Sequence, residues 1–120
     1  MVKYQPQEIE VWYVLPTIRR ELARAMIKKG VMQKDVAKIL GVTEASISHY
    51  LKDKRGKRIK LSKRVKEEIK RSADIILKDQ YRLVDEVQRI CNMIRKHKEL
   101  CKIHQQFEKM HKGCDICFAK

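Results

Sequence analysis

Four cysteines fall in the second half of the chain, in the order Cys91-x9-Cys101-x12-Cys114-x2-Cys117. Two intervening residues let the thiolates of Cys114 and Cys117 reach one metal centre from a tight turn, and Gly113 precedes them. Cys101 can join from a preceding helix, with His104 one turn further along the same face. Three chemistries compete for this spacing. One is an iron–sulfur cluster on Cys101, Cys114 and Cys117, with Cys91 as fourth ligand, since clusters take thiolates. Three cysteines alone suit a 3Fe-4S cluster, or a 4Fe-4S cluster with an exchangeable site. The second is structural zinc, completed by His104 or Cys91. The third is a thiol–disulfide switch at the Cys-x-x-Cys pair. Cys91 also has an apolar reading, on the stripe Leu77, Val84, Cys91, because free cysteine packs as a small hydrophobe. On an unbroken helix Cys91 and Cys101 would stand ~15 Å apart. A shared site therefore requires a turn near His97–Glu99. His97, His104 and His111 recur every seven residues, which reads as a solvated face.

A second kind of chemistry, contact with bases and phosphates, is written into QKDVAKILGVTEASISHYLKDKRG, residues 33–56. A helix-turn-helix crosses two short helices steeply and needs a small residue where they touch, a glycine in the turn and apolar anchors on both helices. Ala37, Gly41 and the set Val36, Leu40, Val42, Ile47 and Leu51 meet those needs. Thr43 is placed to cap the second helix. The run Lys52, Lys54, Arg55, Lys57, Arg58, Lys60, Lys63, Arg64 and Lys66 follows directly, with Asp53 as its one acid. Cations at that density beside a groove-reading helix form a phosphate clamp.

The segment resembles the λ-repressor/Cro-like (XRE) family. The resemblance implies that Gln33 buttresses phosphate contacts and a base-reading side chain. It also implies that the exposed residues early in the second helix, Glu44, Ala45, Ser46, Ser48 and His49, meet base edges. Ser48 and His49 are the foremost of these; Ala45 suits a thymine methyl, and Glu44 a cytosine amino group or simply the helix N-terminus. That helix has no arginine or lysine before Lys52, so the bidentate arginine–guanine contact is missing and DNA shape must contribute to recognition. The likeness extends along the chain. The order W-Y-V-x-P-x-I-R (Trp12 to Arg19), the S-x-Y-L-x-x-K-R-G ending (Ser48 to Gly56), a long helix and a cysteine-bearing tail is similar to archaeal XRE-type regulators. It implies a homodimer on double-stranded DNA and, as in some members, an iron–sulfur cluster; a two-fold dimer would read an inverted-repeat operator, and such a cluster would sense redox state, oxygen or iron.

The elements that must position these residues are helical. Aromatics are few, at 6%, with two prolines and four glycines. Long stretches mix Lys, Glu, Arg, Ile, Leu and Ala, which is helix composition. The expected fold is all-α: a helix-turn-helix domain over residues 1–60, a long dimerisation helix over 61–97 and a cysteine-bearing tail over 98–120. Within the first domain Ile9 to Leu15 form an apolar cluster. Pro16 suits a first helical turn. Ile18, Leu22, Ala25 and Met26 make a buried stripe ending at Gly30. Ser62 is an N-cap for the long helix. Val65, Ile69, Ala73, Ile76, Leu83, Val87, Ile90 and Ile94 then form a near-heptad seam. From Ser62 to His97 it would run roughly 50 Å, and a second copy is the expected cover.

The chain has 120 residues and a formal net charge of +14, which favours polyanions. Both halves are basic, as a lysine-rich proteome would also make them. The density from Lys52 to Lys66 is the part that needs its own explanation. No apolar run approaches the ~20 residues of a membrane span, and none near the start has the length of a signal-peptide core. The expected location is cytoplasmic, where disulfides are rare. No glycine-rich phosphate loop and no nucleophile with an adjacent base stands out, so no enzyme and no small-molecule substrate is expected. A different class, an RNA-binding or nucleoid protein without sequence preference, would have no need of the intact turn geometry.

Overall fold

The structure is a computed structural model and describes residues 5–52 and 61–96. All regular elements among them are helical. A short helix α1 (Pro6–Ile9) runs through a π-helical turn (Glu10–Val14) into α2 (Leu15–Lys28). Then come α3 (Gln33–Leu40), α4 (Glu44–Lys52), α5 (Lys63–Lys78), a 3₁₀ turn (Gln80–Arg82) and α6 (Leu83–Lys96). No helix among the described residues is long and apolar enough to cross a membrane.

Helix α2 is the spine. Pro16 sits in its first turn, where a missing N–H costs nothing. The Thr17 hydroxyl donates to the Tyr13 carbonyl at 2.7 Å, joining α2 to the π-helical turn. Gly30 ends it at φ +93. The Val31 amide reaches back to the Met26 carbonyl at 3.2 Å and the Gly30 amide to Ile27 at 2.9 Å. These bonds satisfy carbonyls that a helix end leaves open, and the left-handed residue they require is glycine at least cost. One face of α2, Ile18, Leu22 and Met26, is fully buried. It meets Val36, Ala37 and Leu40 of α3, Ile47 of α4, Val65, Ile69, Ala73 and Ile76 of α5, and Ile90 and Ile94 of α6 in one core. At ~1.5–3 kcal/mol for each large side chain fully buried, this core is the main source of stability.

The single long helix expected over 61–97 is two helices. Ser62 caps the first, its Oγ accepting from the Val65 amide at 3.2 Å. The second starts after a break at Asp79, whose backbone is extended (φ −147, ψ 100). The Asp79 carboxylate accepts from the Tyr81 amide at 3.1 Å, a side-chain bond that competes with helix continuation. The chain then folds back. Arg89 donates to Glu68 at 2.9 Å, and the Ser72 hydroxyl to Glu86 at 2.8 Å. Those partners are 21 and 14 residues apart, the pattern of an antiparallel hairpin.

The seam therefore closes mostly on its own chain. Ile69, Ala73, Ile76, Ile90 and Ile94 are buried, while Leu83 and Val87 are half-buried against the same core. The hairpin and α2 cover most of the stripe for which a second copy is the expected cover. The cysteine-bearing tail, residues 98–120, lies outside the described residues.

Candidate nucleic-acid interface

Helices α3 and α4 are joined by Gly41, Val42 and Thr43. Gly41 adopts φ +69, and the Val42 amide returns to the Ala37 carbonyl at 2.9 Å. Thr43 opens α4 by accepting from the Ser46 amide at 3.0 Å, and its hydroxyl also bonds the Ser46 hydroxyl at 2.9 Å. Ala37, 4% exposed, and the fully buried Val36 and Ile47 pin the pair to the core, with Leu40 beside them. Val42, Tyr50 and Leu51 pack half-buried at its edge.

The other face of the pair is polar and open. Gln33, Thr43, Glu44, Ala45, His49 and Lys52 are exposed, and Ser46 and Ser48 are half-buried. The Ser48 hydroxyl donates to Gln33 Oε1 at 3.3 Å. That contact links the first residue of α3 to the middle of α4. It places two neutral hydrogen-bonding groups side by side and leaves the Gln33 amide NH₂ available to donate. The face thus combines neutral donors and acceptors, the Ala45 methyl and one imidazole, with the Glu44 carboxylate at the start of α4 and a cation at its end. Such a surface can match base edges, where charge alone cannot discriminate.

Of the cationic run, Lys52, Lys63, Arg64 and Lys66 are described, and all four are exposed. Lys54, Arg55, Lys57, Arg58 and Lys60 lie outside the described residues. So do Cys101, Cys114, Cys117 and His104. Cys91 is described and is 5% exposed, on the inward face of α6. Burial pushes its thiol up to about 11; the Glu10 carboxylate pushes the same way, against Arg95 and Arg19. Its surroundings are those of a packing residue, and the three cysteines it would join as a ligand lie outside the described residues. Among the described residues no group of three or more His, Cys, Asp or Glu is placed to hold a metal ion.

Several side chains in and around this framework carry no signature in the sequence. Arg95 forms a two-pronged ion pair with Glu10, tying the end of α6 to the π-helical turn across 85 positions. Arg89 binds Glu86, Glu68 and Ser72 together. Arg20 is 7% exposed, and its Nε has no hydrogen-bond partner among the described residues. Pairing at such separations leaves no local pattern from which it could be read.

Comparison of the chain with protein-family models, curated proteins and solved structures finds no match.

Proposed function

We propose that the α3–α4 pair is a helix-turn-helix, that α4 reads the major groove of double-stranded DNA, and that the protein is a transcription regulator of the XRE type. The observation that carries this is the open face of α4, where Ser48 is held to Gln33 beside the exposed Ala45 and His49. A protein that binds polyanions by charge alone gains nothing from a buttressed face of this kind, whose one charge before Lys52 is the Glu44 carboxylate. The cations beginning at Lys52 supply the sequence-independent attraction, and the face of α4 supplies the discrimination.

The assembly proposed is a homodimer on an inverted repeat, with half-sites ~10 bp apart or a multiple of that. One apolar surface open to a second copy lies at the α5–α6 corner, where Tyr81 and Val84 are exposed. The proposal also keeps an iron–sulfur cluster, with zinc as the alternative, on Cys101, Cys114 and Cys117. Cys91 is the candidate for a fourth thiolate. Iron and zinc analysis of anaerobically purified protein, together with its visible absorption, distinguishes the two metals.

The test of DNA reading is selection of bound sequences from a random duplex pool with the full chain. A consensus should emerge. His49→Ala should then relax preference at one position, by about 1–3 kcal/mol if the imidazole contacts a base. Random DNA that competes as well as any selected sequence would overturn the proposal in favour of non-specific binding.

A further inference from the structure

A groove of about 560 Å³ lies between α2 and α5, bordered by Arg24 and Lys28 on one side and Lys66 and Lys70 on the other. Its floor is apolar, formed by Ala25 and Ile69, both buried. Glu21 and Lys29 complete the border. Five cations therefore surround one carboxylate.

Two of those cations are already engaged. Lys29 pairs with Asp74, and Arg24 lies 3.9 Å from Glu21. Lys28, Lys66 and Lys70 have no ion pair among the described residues, and all three are exposed at the rim. The arrangement sets like charges one helical turn apart on both helices, Arg24 with Lys28 and Lys66 with Lys70. That spacing is unfavourable in a helix unless an anion offsets it; Glu21 does so for Arg24, and Lys28, Lys66 and Lys70 have no such partner among the described residues. The groove lies off the face of α4, since no groove residue belongs to α3 or α4, and it shares only Lys66 with the cationic run that follows α4.

We propose that this groove binds a small phosphate monoester with a compact apolar body. Ammonium groups engage a phosphate dianion as point charges converging from the two helices. The apolar part of the ester covers Ala25 and Ile69. The volume lies within the range of small-molecule sites. A duplex is the poorer fit, because its convex backbone would meet the lysine rims and leave the apolar floor uncovered.

Calorimetry and amide chemical-shift mapping of the full chain test this with three probes: 4-nitrophenyl phosphate, inorganic phosphate and 4-nitrophenol. The ester should bind at least about tenfold more tightly than either fragment, because it alone covers the floor and meets the lysines. Its shifts should centre on Ala25, Lys28, Ile69 and Lys70. The double variant Lys66→Gln/Lys70→Gln should lose the ester by about tenfold or more, since each lost ammonium removes a charge-assisted contact. The control Lys34→Gln/Lys38→Gln, on exposed positions of α3, should leave ester binding unchanged. Ester binding no tighter than inorganic phosphate, or shifts spread over every lysine-bearing face, would overturn the proposal. So would loss of duplex affinity in the α5 double variant of a protein that never bound the ester, which would make the groove a DNA-backbone contact.

Discussion

Two helix pairs in this molecule turn the chain by different means. The α3–α4 pair is fixed by backbone. A glycine at φ +69 closes α3, an amide–carbonyl bond from Val42 to Ala37 seals the turn, and the threonine cap opens α4. Its outer face is held by a neutral contact, Ser48 to Gln33. The α5–α6 pair is fixed by side chains. An aspartate ends α5, and a charged cluster of Glu68, Ser72, Glu86 and Arg89 laces the two helices together. The first device is insensitive to pH and salt, because no ionised group takes part. The second is sensitive to both. A surface set by backbone geometry keeps its shape while ionic conditions change, and the hairpin behind it is the part free to respond.

The largest expected effect separates a hairpin that closes on its own core from a seam that waits for a second chain. Ile76 is fully buried within one chain. Ile76→Ala should therefore cost ~2–5 kcal/mol, by lost transfer energy and an unfilled cavity. Thermal unfolding at several protein concentrations is the measurement. The loss should be the same at every concentration, since the contacts broken are intramolecular. A loss that grows on dilution would return Ile76 to an intersubunit seam. Val84, 74% exposed, is the contrasting position. Val84→Asp should leave the unfolding of one chain within about 0.5 kcal/mol of the parent, yet shift sedimentation towards monomer if the α5–α6 corner joins two copies.

How far each pair was legible follows from the same difference. Ala37, Gly41 and Thr43 fall within a window of seven residues, so their spacing could be read directly; in the structure Ala37 is buried, Gly41 adopts a left-handed conformation and Thr43 caps α4. The same holds for Ser62 as cap and for Ile18, Leu22 and Met26 as the inward face of α2. The break at Asp79 was missed because periodicity reports which side of a helix is apolar, and not whether the helix continues. The signal was present: the stripe runs Val65, Ile69, Ala73, Ile76 and then skips to Leu83, with Lys78, Asp79 and Gln80 filling the gap. A missing apolar position beside an aspartate that can bond its own backbone marks an interruption. The Glu10–Arg95 and Glu68–Arg89 pairs could not be read, since any of many acids and bases could have met across the chain.

A middle-sized effect tests the backbone half of the comparison. A Cβ at Gly41 would meet nothing within 4 Å, so Gly41→Ala changes conformational energy and little else. Placing an L-residue in the left-handed region costs ~1–2 kcal/mol. Urea unfolding should show that loss with an unchanged slope. Gly30, at φ +93 and equally open, should cost a similar amount. If the α3–α4 turn alone governs how α4 is presented, the two variants should part in DNA binding, with only Gly41→Ala weakening it. Equal DNA binding by both would show that core packing at Ala37 and Ile47 holds the pair without help from the turn.

The smallest effect is the most diagnostic of the side-chain half. The Arg89 guanidinium, hydrogen-bonded to Glu68, holds that carboxyl below the usual carboxylate range; partial burial opposes this, and Arg71 adds to it. A carboxyl whose value is depressed on folding stabilises the fold above its unfolded value, ~4.3, and that stabilisation fades as pH falls through the lower folded value. The Glu68 side chain is 23% exposed and that of Arg89 40%, so solvent screening limits the pair to about 0–1 kcal/mol. Glu68→Gln should therefore be slightly less stable than the parent at neutral pH. The difference should shrink below pH ~4.3 as the parent's own carboxylate protonates. Added salt should narrow it at neutral pH as well, because the pair is partly open to solvent. The Gly41→Ala loss, measured over the same pH and salt series, should stay flat. If both losses vary together, the hairpin and the turn belong to one cooperative unit whose response to charge is shared. If only Glu68→Gln varies, the charged lacing is a local property of α5 and α6, and the face of α4 is insulated from it.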